Sequence, residues 1–182
     1  TREKQNKVMH WPRNPFYLVI WNAVMEGVEG YTPITAYATD SLTRILTPED
    51  ISKNTSIETT VMVPNPDNPE DPYDLVEIPL NIEFEPEDIE KYRIMEDWIF
   101  DYNYSDFRAR IIAIAPLYRP LTESGIELGE QPLFWVKMDD LRPIIAQQET
   151  FNAKNDAARM SFDHWFQMRQ FNSYIVKESN MY

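Results

Sequence analysis

The sequence predicts a single α+β domain of antiparallel strands and hairpins, with several short helices and a C-terminal helix. Strand patterns and helix patterns follow one another without the regular alternation of a parallel sheet. The 182 residues suffice for one hydrophobic core, since 43% of them are hydrophobic and 13% aromatic. Fourteen prolines against four glycines indicate many stiffened loops.

The first thirteen residues are predicted to be a basic, extended lead-in to a core domain over residues 14–182. One acid, Glu3, accompanies four basic residues: Arg2, Lys4, Lys7 and Arg13. Trp11 is expected to dock on the core. Both ends look cut, so we expect the chain to be the trimmed core of a longer protein.

A helix is predicted to begin with Asn14 as its N-cap and Pro15 as its first residue, and to end near Gly27. One apolar face at helical spacing should be buried, and it comprises Phe16, Val19, Ile20, Ala23 and Val24. A second apolar face lies almost opposite and comprises Leu18, Trp21 and Met25. Burial in the core and contact with a partner both remain open for that face.

The next elements are short. A strand is predicted over residues 34–37, and Thr47 followed by Pro48 and two acids is typical of a helix start. Strands over 59–63 and 75–82 flank an acidic, proline-rich loop at 64–74, which should be solvated. Pro79 places the second strand at a sheet edge or a bulge, because proline has no N–H to donate.

A second hairpin is predicted from residues 92–100 and 107–115, joined by a turn at 101–106. Alternate residues of its second strand share a face: Phe107, Ala109, Ile111 and Ala113. Another strand is predicted at 133–136, and Asp139 with Asp140 can cap a short helix that Pro143 disturbs.

The last helix is predicted to start at Asn152 or Asn155 and to run to about Phe171, with a possible break at Ser161, itself a good cap. Phe162, Trp165 and Phe166 form an aromatic stripe on it. We expect the stripe to fill the core rather than to bind a ligand.

Charge and composition exclude several function classes. Residues 58–106 carry 15 acids against Lys91 and Arg93, which accounts for the whole net charge of −13. Nucleic acids and anionic membranes both require a basic face, so neither is an expected partner. The sequence has no run of about 18 apolar residues, so direct membrane insertion is not expected. The lack of cysteine excludes thiolate chemistry.

Few residues point to catalysis or to a cofactor. His10 and His164 are the only histidines, and His164 is expected to be a structural helix residue. The acids of residues 67–77 supply hard oxygen ligands, yet they lack the glycine and the spacing of a calcium loop. No catalytic residue, cofactor or metal is therefore predicted.

Several sequence blocks together resemble a known family. The blocks are NDAAR at 155–159, SFDHWFQMRQF at 161–171 and SYIVKESNMY at 173–182, with ARIIAIAPL at 109–117, LFWV at 133–136 and REKQNKVMHWP at 2–12. In their order they resemble the GldN/PorN family of the bacterial type IX secretion and gliding machinery. The resemblance covers most of the chain, but it does not extend to the loop at 64–74.

The resemblance implies a structural protein rather than an enzyme, with a fold that could be specific to the family. Members are periplasmic and assemble with a partner lipoprotein of the PorK/GldK type, the K component, into rings under the outer membrane. Further implied partners are neighbouring copies of the chain and the periplasmic part of the M motor component.

Two interaction surfaces are hypothesised. The first is the acidic region, represented by Asp67, Asp71 and Asp74, which would meet a basic surface. The second comprises Trp98, Phe100, Tyr102 and Tyr104 of the second hairpin, because tryptophan and tyrosine dominate binding hot spots. Two other functions stay open: a carboxylate-dependent hydrolase of cell-envelope glycans, and an extracellular calcium-binding module.

Overall fold

The computed structural model describes residues 4–66, 73–82, 84–120, 122, 128–152 and 159–179. Its mixture of helices and antiparallel strands confirms the α+β class. Backbone contacts divide the chain into a terminal unit of residues 1–34 and 138–182 and a central unit of residues 35–137. The prediction of one core domain over residues 14–182 stays a prediction.

The described elements follow in chain order. The α-helices are α1 (Phe16–Met25), α2 (Pro48–Thr55), α3 (Met138–Ile145) and α4 (Phe162–Gln167). The strands are β1 (Ala36–Tyr37), β2 (Ile45–Leu46), β3 (Ile57–Pro64), β4 (Leu75–Ile82), β5 (Lys91–Asp101), β6 (Asp106–Tyr118), β7 (Gln131–Pro132), β8 (Trp135–Lys137), β9 (Glu149–Thr150) and β10 (Met160–Ser161). Two 3-10 helices cover Lys4–His10 and Pro86–Asp88.

Helix α1 buries the predicted face in the core of the terminal unit. All five residues of that face are buried, and the Phe16 ring lies 5.0 Å from Phe162 and 5.4 Å from Phe166, centroid to centroid. Of the second face, Leu18 is exposed while Trp21 and Met25 are half-buried. The apolar stripe of α4 packs against α1, so the core interpretation of that stripe is confirmed.

The predicted cap of α1 is wrong by one residue. Pro15 occupies the N-cap position with φ −73° and ψ 139°. The Asn14 amide instead donates to the Gln148 side-chain oxygen at 3.1 Å and to the Glu149 carbonyl at 2.8 Å. Asn14 therefore ties the start of α1 to the segment that follows α3.

The lead-in is helical rather than extended, since Lys4–His10 forms a 3-10 helix. Its adjacent residues Val8 and Met9 are both buried. An extended strand would point neighbouring side chains to opposite faces, whereas a helical turn allows both to pack inward. Trp11 is half-buried, with the Arg13 guanidinium 5.9 Å from its ring centroid.

The last helix is shorter than predicted at both ends. Met160 and Ser161 pair with Thr150 and Glu149 as strands, so no helix runs continuously from Asn152 to residue 171, and Asn155 lies outside the described residues. Ser161 is the N-cap, and its hydroxyl accepts from the His164 N–H at 3.2 Å. The helix ends at Gln167 because Arg169 adopts a left-handed φ of 47°.

The central unit contains the main antiparallel sheet, in the order β2, β1, β8, β6, β5, with β7 also paired to β6. The middle of β6 is buried, with Ala113, Ile114 and Ala115 inaccessible to solvent. Helix α2 begins as predicted, with a capping box in which the Asp50 N–H donates to the Thr47 hydroxyl oxygen and the Thr47 N–H donates to the Asp50 carboxylate. The Thr47 hydroxyl also donates to the Asp50 carboxylate at 2.8 Å, and this hydrogen bond, followed by that from the Thr47 N–H, holds the pKa of Asp50 below its ordinary value.

Strands β3 and β4 form a separate two-stranded sheet with eight residue pairs. Pro79 lies opposite Thr60, and every strand of a two-stranded sheet is an edge strand. The predicted edge position of Pro79 is thus confirmed, because its missing N–H is tolerated where no further strand pairs.

Two glycines allow the turn after α1 to be tested. Gly27 (φ +82°) donates to the Asn22 carbonyl at 2.8 Å, and an added Cβ would lie 2.6 Å from the Tyr31 carbonyl oxygen. Gly30 has φ +84°, but nothing lies within 4 Å of such a Cβ.

We expect Gly30→Ala to lower the free energy of unfolding by about 1–2 kcal/mol through backbone strain, and Gly27→Ala to lose at least ~1 kcal/mol more through the clash. Urea denaturation measures both, and equal losses would contradict the account.

Candidate interaction surface

Most of the acidic loop lies outside the described residues, Asp67 and Asp71 among it. At the base of the loop, the Asn65 side-chain amide donates to the Asp74 carboxylate at 3.0 Å, and the Asn65 N–H donates to the Asp74 carbonyl at 2.7 Å. Asp74 therefore helps to close the β3–β4 hairpin, and its proposed role in binding stays a prediction.

A two-stranded ribbon projects from the main sheet. Strand β5 pairs with β6 from Lys91 to Asp101, with an irregularity in register between Met95 and Glu96. Strand β8 pairs with β6 only at Ala113 and Ile114, and β7 pairs with β6 at Leu117 and Tyr118. Residues 96–111 therefore have no other described strand beside them, and we call them the ribbon.

One face of the ribbon is aromatic. Trp98 lies opposite Ala109 and Phe100 lies opposite Phe107, and residues directly opposite in an antiparallel pair share a face. Trp98 is 62% exposed, Phe100 49% and Phe107 64%. The rings of Phe100 and Phe107 are 5.0 Å apart between centroids and tilted by 53°. The Trp98 indole N–H donates to the Glu96 carboxylate at 3.1 Å, which fixes the orientation of the ring.

The opposite face of the ribbon is largely charged. Asp97 lies opposite Arg110, Ile99 opposite Arg108, and Asp101 opposite Asp106. The Arg108 guanidinium lies 5.4 Å from the centroid of the Tyr104 ring. The ribbon is thus amphipathic. Charged side chains dominate this face, whereas Glu96 is the one charged residue on the aromatic face.

The turn at the tip presents two tyrosines. The Asn103 N–H donates to the Asp101 carboxylate at 3.0 Å, and the Tyr104 N–H donates to the Asp101 carbonyl at 3.3 Å. Ser105 adopts a left-handed φ of 49°, which brings the chain back into β6. Tyr102 is 87% exposed and Tyr104 73%, so the hydrogen-bonded turn holds two rings in solvent.

A three-residue ion cluster lies at the start of β5, outside the ribbon. The Glu130 carboxylate accepts from the Lys91 ammonium at 2.7 Å and from the Arg119 guanidinium at 3.0 Å. The hydrogen bond from Lys91, followed by that from Arg119, holds the pKa of Glu130 below its ordinary value. The cluster joins the first residue of β5 to the chain that follows β6.

The structure brings the four predicted aromatic residues to one projecting element, two on its face and two at its tip. All four are exposed, as the interface hypothesis requires, and their binding role stays a prediction. Sequence reasoning did not single out Phe107. Its alternation with Ala109 and Ile111 indicated a shared face, but it could not show that this face leaves the core near the turn.

The described residues give little support to the other candidate functions. A cavity of about 320 Å³ in the central unit is lined by Ala38, Arg44, Leu46, Asn54, Tyr118, Pro132 and Leu133. It supplies no carboxylate, whereas a glycan hydrolase requires two. His164 is exposed on α4. Among the described residues no group of His, Cys, Asp or Glu could hold a metal ion, and none of their helices is long and apolar enough to cross a membrane.

The chain matches a protein-family model. A family model described as "Gliding motility associated protein GldN" matches residues 1–182. No curated protein matches the chain in sequence.

The contact between the tilted rings of Phe100 and Phe107 should stabilise the folded chain. In a double-mutant cycle, Phe100→Leu and Phe107→Leu are expected to show a coupling of about 0.5–1 kcal/mol in the free energy of unfolding. A control cycle pairs Phe107→Leu with Met62→Leu in the β3–β4 sheet, and its effects should add within about 0.5 kcal/mol. A coupling no larger than that of the control would show that the two rings do not interact in solution.

Proposed function

The chain belongs to the GldN family, and from that premise we propose that it is a structural subunit that assembles with the K-component lipoprotein into a periplasmic ring. Membership makes the chain a component of the gliding motility and type IX secretion machinery, and it implies partners in a complex. The proposal adds the location under the outer membrane, the attachment through the lipoprotein, and contacts with neighbouring copies and with the M motor component.

The observation that best supports the proposal is the exposed aromatic face of the ribbon. Trp98, Phe100 and Phe107 present their rings together, held by a hydrogen-bonded hairpin. Contiguous apolar surface of this kind marks interaction sites in soluble proteins. Because the rings are held by cross-strand pairing, little conformational freedom is lost when a partner covers them.

The ribbon suits protein association better than catalysis. It places aromatic rings on one side, charges on the other and tyrosines at the tip, which resembles the composition of binding hot spots. The GldN family is a family of gliding and secretion components, not a known enzyme family. No feature of the described residues favours the hydrolase or the calcium-binding module over the ring subunit.

Charge adds a second element to the proposal. Residues 58–106 carry 15 acids and two basic residues, and they include β3, β4 and β5. An acidic surface orients a basic partner and speeds its approach. The aromatic face holds its own partner through apolar contacts that become buried in the complex. We assign the aromatic face to the lipoprotein and the acidic region to a basic neighbour in the ring.

The aromatic face is tested by Trp98→Ala. We expect the mutation to weaken binding of the K-component lipoprotein by about 2 kcal/mol, roughly 30-fold, because the indole would lose a buried contact. Co-purification and titration of the full chain with the lipoprotein provide the measurement. Met62→Ala is the matched control, since Met62 is similarly exposed, at 57%, in the separate β3–β4 sheet.

Folding of the variants is checked by circular dichroism. Trp98→Ala and Met62→Ala should have a free energy of unfolding within about 0.5 kcal/mol of that of the parent chain, whereas loss of the Phe100–Phe107 contact should cost about 0.5–1 kcal/mol more. If the triple variant Trp98→Ala, Phe100→Ala, Phe107→Ala still binds the lipoprotein as the parent does, the aromatic face is not its docking site.

The acidic region is tested by reversing Asp67, Asp71 and Asp74 to lysine. The reversal should slow association with the basic partner, and added salt should slow association of the parent chain by screening the same charges. Reversal of Glu26, Glu29 and Glu49, which are exposed and lie outside the acidic region, changes the net charge equally and serves as the control. Association that is insensitive to salt, or equally slowed by both reversals, would rule out a specific acidic contact.

A further inference from the structure

The C-terminal segment lies outside the helices and strands, and no described strand pairs with it. Residues 172–179 are all exposed and belong to neither a helix nor a strand. Tyr174 is 83% exposed, Ile175 73% and Val176 62%. Aromatic and β-branched residues in a row favour strand structure, so the segment has the composition of a strand and lacks a sheet.

The segment is held at one end. The Asn172 N–H donates to the Asn6 side-chain oxygen at 2.9 Å, and the Asn6 amide donates to the Asn172 carbonyl at 2.8 Å. A side-chain amide thereby occupies both backbone groups of residue 172, as a neighbouring strand would. Beyond this anchor, the backbone of residues 173–176 makes no hydrogen bond with the described part of the chain.

The same chain carries a long sheet edge. Strand β5 is the last strand of the main sheet, and no described strand pairs with its outer edge. Its eleven residues span about 36 Å at 3.3 Å per residue, longer than the roughly 23 Å of a seven-residue segment. Strands β3 and β4 also have edges on which no described strand pairs, but each has only eight residues, and Pro79 removes a donor from the middle of β4.

We infer that residues 173–179 of one copy add as a strand to the outer edge of β5 in a second copy. The inference rests on the proposed role as a ring subunit and specifies the contact between neighbouring subunits. Strand addition would give the backbone of residues 173–176 and the outer edge of β5 hydrogen-bond partners, and alternate side chains then give specificity.

A second copy fits both requirements because each chain carries one donor segment and one acceptor edge. The apolar run at Tyr174, Ile175 and Val176 matches the exposed run at Trp98, Ile99 and Phe100 in hydrophobic character. Lys177 and Glu178 of the segment would approach an edge strand that carries acids at Glu96, Asp97 and Asp101 and bases at Lys91 and Arg93. The contact joins different surfaces of two copies, so it can repeat from copy to copy and close into a ring.

The natural lack of cysteine allows a direct test by cross-linking. One full-length chain carries Ser173→Cys, and a differently tagged chain carries Asp101→Cys or, separately, Lys91→Cys. Each pair is mixed over a concentration series and treated with a short bifunctional thiol reagent. We expect cross-linked dimers that contain both tags, with one of the two β5 positions clearly preferred, because a strand adds in one direction.

Two controls separate strand addition from random collision. Ser52→Cys places a thiol on the exposed surface of α2 and should link no more than background. Ile175→Pro in the segment should reduce the yield of linked dimer by about tenfold or more, because proline removes a backbone donor from the middle of the added strand. Ile175→Val should keep the yield, and unchanged circular dichroism confirms that both variants fold.

The outcomes also distinguish this contact from the proposed function. Purified chains suffice for cross-linking, so the result does not depend on the lipoprotein, and Ile175→Pro should still bind the lipoprotein one to one while failing to form rings. Three results would overturn the inference. The yield of linked dimer could equal the Ser52→Cys background, or it could be unchanged by Ile175→Pro. When both cysteines are on one chain, links could also form only within that chain.

Discussion

The pairing of β6 with its neighbours is the constraint on which the central unit depends. Strand β6 pairs with β5 over eleven residue pairs, but with β8 and β7 only in its second half. The second half is therefore buried in the sheet, where Ala113 and Ile114 are inaccessible to solvent. Among the described strands, the first half has only β5 beside it, and it projects as a ribbon. One strand thus serves the core at one end and a surface at the other.

The ribbon has an energetic cost for the isolated subunit that a partner can offset. Burial of a large apolar side chain contributes about 1.5–3 kcal/mol, and Trp98, Phe100 and Phe107 leave much of that unused in the single chain. The pairing of β5 with β6 and the hydrogen-bonded turn at the tip hold the ribbon in shape. A fixed shape lowers the entropy lost on binding. The chain therefore presents a preformed surface rather than a loop that must order first.

The sequence predicts best those features whose physics is local. The capping box of Thr47 and Asp50 follows from residue types three positions apart, and the buried face of α1 follows from helical spacing. The hairpin of β5 and β6 follows from alternation around a polar turn. The predictions that failed depend on distant contacts: Asn14 bonds to residues 148 and 149, and the start of the C-terminal helix gives way to pairing of Met160 with Thr150. The exposure of Phe107 likewise depends on where β8 stops, which no local pattern encodes.

Hydrogen–deuterium exchange of the chain, alone and in complex with the lipoprotein, tests the central claim most directly, which is that the ribbon becomes an interface when the machine assembles. The account predicts that amides of residues 96–111 exchange more slowly in the complex, while those of α2 exchange at the same rate in both states. Unchanged exchange across the ribbon, with protection appearing elsewhere on the chain, would contradict it.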